Sequence, residues 1–160
     1  MKLLLGALVL LVFAPPLRAQ EVDRSKLDQN IYYRALVAML SARARDNVED
    51  TRDPARHVLI VSDIQLNDGF PTRVGDVEIE YLDSAELRSR YRTMKREIPL
   101  FVMRPMKSEG NRLVVGFTRY WFRATKKSDE MSMEGGYNVA VLYDCARKEF
   151  VVENATLWGI

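Results

Sequence analysis

The run from Leu100 to the C-terminus places the tightest limit on the fold. Leu100–Met106, Arg112–Ala124, Gly136–Asp144 and Glu149–Trp158 are rich in β-branched and aromatic residues, the composition of strands. They are joined by Ser108-Glu109-Gly110-Asn111, a longer polar loop through Glu130, and the tight Asp144–Lys148 turn. Successive strands with connections this short pair antiparallel, because a parallel pair needs a crossover of about a dozen residues. A four-strand C-terminal meander is therefore expected.

Helical spacing dominates the part before it. Leu27, Ile31, Ala35, Met39 and Ala42, widened by Leu36 and Leu40, predict a helix over 26–45. The compact apolar run in His57–Ser62 predicts a strand, and Asn67-Asp68-Gly69 with Pro71 is turn chemistry. Val77, Ile79 and Tyr81 alternate with Asp76, Glu78 and Glu80, as in a half-buried strand over 76–82. Asp83-Ser84-Ala85-Glu86 reads as a capping box opening a helix over 84–97, which Pro99 stops. The expected fold class is α+β, with N-terminal helices packed on one face of a curved, mainly antiparallel sheet. No repeat or linker interrupts it, so residues 20–160 are expected to form one domain.

The first residues read as an address. Met1-Lys2, the apolar run Leu3–Ala14, Pro15-Pro16 and Leu17-Arg18-Ala19 have the order of a signal peptide over 1–19. An uncleaved anchor is the alternative, although the apolar run is shorter than the ~20 residues that span a bilayer. The chain is thus expected to be exported, periplasmic or secreted, with no transmembrane span after signal removal. Without Lys2 and Arg18, its 24 basic residues fall to 22, equal to its 22 acids. That balance argues against nucleic acid as a partner. One His and one Cys exclude a His- or Cys-rich metal site and an intramolecular disulfide. Cys145 is expected to be buried and inert, or paired with another chain.

The order of helix 26–45, strand 57–62, helix 84–97 and strands 100–158 resembles that of the cone-shaped nuclear transport factor-like proteins. The resemblance lies in layout, not in a motif, and spans nearly the whole mature chain. The strand at 76–82 and the single long first helix depart from the usual plan. The resemblance implies a concave pocket between sheet and helices. A cystatin-like sheet around one helix is the competing architecture.

Several groups have chemistry to weigh. Asp76, Glu78 and Glu80 share a strand face and either hold a hard cation or form a wet face. Residues 46–86 carry eleven acids and three bases, whereas 88–107 carry seven bases and one acid. The basic segment either complements the acidic one within the fold or meets an anionic partner. His57, with Asp63 six residues on, is the one candidate general base. Met131 and Met133 form an M-x-M pair in an expected loop, read as loop and core packing ahead of a soft-metal site. Arg119 and Arg123 share the Trp121 side of a strand, an amphipathic face. Gly135-Gly136 marks a bulge or close approach where a strand begins.

The leading expectation is an exported non-enzymatic protein that binds a small molecule or peptide in the sheet–helix concavity. Tyr91, Arg119, Trp121 and Tyr137 are the binding candidates, with no catalytic residue, metal or cofactor assigned. The alternative is an envelope interaction module, as a homodimer or with another protein, whose partner docks on the basic helix 84–97 or the Trp121 face. An acid–base enzyme at His57 and Asp63 is the third possibility.

Overall fold

A computed structural model describes residues 30–46, 56–62, 66 and 70–159. In chain order its elements are α1 (Ile31–Arg45), β1 (His57–Ser62), β2 (Arg73–Val74), β3 (Val77–Tyr81), α2 (Ser84–Met94), β4 (Ile98–Met103), β5 (Lys107–Glu109), β6 (Arg112–Ala124), β7 (Asp129–Asp144) and β8 (Glu149–Gly159). The proposed signal peptide and Asp63 lie outside the described residues.

The strands form one curled sheet in the order β2-β3-β1-β4-β6-β7-β8, with β5 paired to β6. β4, β6, β7 and β8 pair antiparallel in succession. The other half departs from the antiparallel expectation, since β1 runs parallel to both β3 and β4. The reason is the crossover at α2. It carries the chain from β3 past β1 to β4, which must then run in the same direction as β3. The sheet is therefore mixed.

The two helices lie on opposite faces, not on one. Ala35, Leu36, Met39 and Leu40 of α1 pack with Val58, Ile60, Phe101, Met103, Phe117 and Val139. Leu87 of α2, with Tyr91 beside it, packs with Leu59, Ile98, Leu100, Val102 and Phe122. Along β4, Ile98, Leu100 and Val102 alternate with Phe101 and Met103, so each face of this strand meets a different helix. A strand apolar on both sides is the signature of a sheet covered twice.

Local chemistry sets the element ends. Asn30 caps α1, its Oδ1 accepting from the Tyr32 N–H at 2.9 Å. Asp83 Oδ1 accepts from Ala85 and Glu86 N–H, and Asp83 N–H donates to Glu86 Oε2 at 2.8 Å, completing the capping box. α2 ends at Met94, three residues earlier than expected, because Lys95 turns left-handed at φ 53°. Pro99 then sits inside β4. It is tolerated because β1 pairs with β4 only from Phe101 onward, so no ladder bond to β1 is lost at the proline. The loop expected before Gly136 shrinks to a turn in which Ser128 N–H donates to Thr125 Oγ1 at 3.0 Å. Met131 and Met133 consequently lie in a strand, opposite Phe122 and Tyr120.

Candidate ligand-binding cleft

Over most of its length α1 fills the hollow of the sheet. Beyond its last turn a cleft of about 130 Å³ remains, lined by Arg43, Phe101, Arg119, Glu134, Tyr137 and Trp158, with Leu157 and two glycines completing the wall. Leu157 is 49% exposed and supplies an open apolar edge.

A β-bulge builds the polar part. Arg119 pairs with Gly135 and Tyr120 with Met133, which leaves Glu134 as an extra residue in β7. The Glu134 carboxylate accepts from Trp121 Nε1 at 2.8 Å and stands 3.2 Å from Arg119 Nε. The Arg119 guanidinium also lies 5.4 Å from the Trp121 ring centroid, within cation–π range. Arg119 is 9% exposed, so its charge sits in a poorly solvated place and the Glu134 contact is correspondingly important. Gly135 and Gly136 follow at φ 140° and 156°. A Cβ on Gly136 would collide with the Phe117 carbonyl, so β6 and β7 approach more closely here than a side chain permits.

Two donors on the lining have no well-formed acceptor among the described residues. The Tyr137 hydroxyl and Trp158 Nε1 are buried without a hydrogen-bond partner. Burial pushes the Tyr137 pKa up to about 12, and the Asp46 carboxylate adds to the rise through its charge and as a nearby acceptor whose geometry falls short of a well-formed hydrogen bond. Tyr137 is therefore protonated, and a donor, at neutral pH. A buried polar group left unpaired costs about 1–3 kcal/mol. An acceptor atom placed among these donors recovers that cost. The volume is below the ~300–1,000 Å³ of pockets for drug-sized ligands. It suits a carboxylate, an amide or the end of a chain.

The Tyr137 shift has a consequence for stability. Its folded pKa lies above the ordinary value of 10.0, so the contribution is intact below pH 10 and is lost as pH rises toward 12. Denaturant unfolding of the Tyr137→Phe variant should fall less steeply than wild type across that window, by up to roughly 3 kcal/mol at its upper end. Equal slopes would place the hydroxyl in water.

Arg119, Trp121 and Tyr137 are thus brought together, as neighbours on the α1 face or as lining of the cleft. Tyr91 is not among them. It lies on the opposite face, edge-on to Phe122 with centroids 6.1 Å apart. Arg43, Glu134 and Trp158 escaped sequence reading. Arg43 sits in the last turn of a helix where a solvated cation is ordinary, and Glu134 lay in an expected loop.

The other candidates resolve differently. Glu80 meets both Arg90 and His57, the latter with Nε2 at 3.3 Å, and Asp76 stands 3.9 Å from Arg56. These carboxylates are engaged by cations, and no cluster of three metal-ligating groups occurs among the described residues. Arg90–Glu80 is internal complementation between the basic and acidic segments. Cys145 is exposed in the β7–β8 turn, against the expectation of burial, because the hairpin ends before it at Asp144. No described helix is long and apolar enough to cross a membrane. No family model, curated protein or solved structure matches this chain.

Proposed function

We propose that this is an exported, non-enzymatic protein that binds a small molecule or the end of a peptide in the cleft beyond α1. The ligand presents a carboxylate or amide oxygen to Tyr137 and Trp158, with Arg119 held behind them by Glu134. One observation carries the reading: two buried donors without a well-formed acceptor among the described residues line a cleft that also contains a buried arginine. Native proteins rarely leave buried donors unpaired, and such a group calls for an explanation. Binding is favoured over catalysis because the titratable groups are committed. Tyr137 holds its proton far above neutral pH, and Glu134 is engaged by Trp121 and Arg119. The export reading rests on residues 1–19. A concave pocket is also what the nuclear transport factor-like layout implies.

Calorimetric titration with short carboxylic acids and with dipeptides tests the proposal. Tyr137→Phe should leave unliganded stability unchanged or slightly raised, since it removes an unpaired hydroxyl, yet weaken binding about tenfold. Leu157→Trp, at an exposed position, should close the mouth and abolish binding without unfolding the protein. Binding that survives both substitutions unchanged would overturn the assignment of this cleft.

A further inference from the structure

The face of the sheet opposite the cleft carries a second concavity, between α2 and the tip of the β6–β7 hairpin, with a volume of about 510 Å³. We propose that it binds an anion bearing more than one phosphate charge.

Helical spacing and the helix end bring the cations together. Arg88 and Arg92, four residues apart in α2, share the side of the helix facing the groove, and Lys95, the left-handed residue just past the helix end, lines the same space. Lys126 reaches the same groove from the hairpin, beside Ala124 and Thr125. Tyr91 forms part of the floor, anchored edge-on against Phe122. The one carboxylate among the described lining residues, Asp129, accepts from Arg88 Nε at 2.7 Å. That contact ties the helix to the hairpin and fixes the groove width. Arg92, Lys95 and Lys126 have no carboxylate partner among the described residues, so a net charge of about three remains in one concave space.

Helix stability explains part of this pattern but not all of it. Cations at the C-terminal end of α2 complement the negative end of its dipole, which accounts for Arg92 in the last turn and Lys95 just past it. Lys126 belongs to no helix, and bringing it to the same groove costs repulsion that the dipole does not offset. Among the described residues, no acid of the acidic segment lines the groove, and Glu80 of β3 is occupied by Arg90, which is not among the groove residues. Phosphate matches better than a lone carboxylate, because it offers several acceptor oxygens to forked guanidinium groups and carries enough charge for three cations.

Inorganic tripolyphosphate and phosphatidylglycerol vesicles are the probes, both at low ionic strength and against the full chain. Tripolyphosphate should bind with an affinity that falls as salt rises. Arg92→Ser and Lys126→Ser, both at exposed positions, should each weaken it about tenfold, while Lys107→Ser on β5 changes nothing. Tripolyphosphate binding identifies a soluble phosphorylated ligand. Vesicle binding alone, lost in the same variants and absent with phosphatidylcholine, identifies a phospholipid headgroup. Failure of both probes to bind, or binding that the Arg92→Ser/Lys126→Ser double variant leaves intact while its circular dichroism is unchanged, would overturn the proposal.

Discussion

Gly136→Val should abolish the folded state or lower its stability by at least about 4 kcal/mol, one of the largest effects expected of a point substitution. The added Cβ would overlap the Phe117 carbonyl oxygen and come within 2.9 Å of Thr118 Cα, both backbone groups of the neighbouring strand. Neither yields without separating β6 from β7, the longest pairing in the sheet. The φ of 156° adds strain that a β-branched residue bears badly. Gly110 supplies the comparison. It has φ 64° but open space around it, so Gly110→Ala should cost only ~1 kcal/mol. Urea unfolding of the two variants separates steric collision from backbone strain. A mild effect at Gly136 would mean that the strands have room to part.

Phe117→Ala is expected to cost about 3–5 kcal/mol. Phe117 is completely buried at the centre of the α1 face, and its cluster draws on α1, β1, β3, β4, β6 and β7. Truncating the ring leaves a hole that so many elements cannot collapse into together. Against a typical total of about 5–15 kcal/mol, the loss brings the protein close to its folding limit. Phe70, partly buried at the margin of the same cluster, should lose less when changed to Ala. Equal losses at the two positions in chemical denaturation would contradict the placement of the core.

Periodicity and caps made much of this fold readable. His57–Ser62 and Arg112–Ala124 appear with the limits their composition implied, and the Asp83–Glu86 capping box starts α2 where its spacing required. Polar strands were harder to see. Asp129–Glu134 has little β signal of its own and becomes a strand because it pairs with the strongly apolar end of β6. The parallel half of the sheet was also hidden, since alternation within a strand says nothing of which neighbour it takes or in what direction. Placement of the helices on opposite faces shows in β4, whose continuous run Leu100–Met103 marks a strand covered on both faces but does not say which helix covers which.

The cleft was legible only in part, for a related reason. Arg119, Trp121 and Tyr137 announced themselves by type and by strand position. Their meeting depends on the bulge at Glu134, where one extra residue turns a carboxylate toward Arg119. Tyr91 looked equivalent by sequence, but helix placement put it across the sheet at the basic groove. Residue type suggested what kinds of contact to expect, while strand register decided which of those residues share a site.

Native mass spectrometry of the full-length chain after export into a bacterial periplasm would show whether the cleft beyond α1 retains a ligand. The expected species is a chain cleaved after Ala19 that carries a small adduct absent from the Tyr137→Phe and Leu157→Trp variants prepared in the same way. A bare wild-type mass, or an adduct retained by both variants, would contradict binding in this cleft.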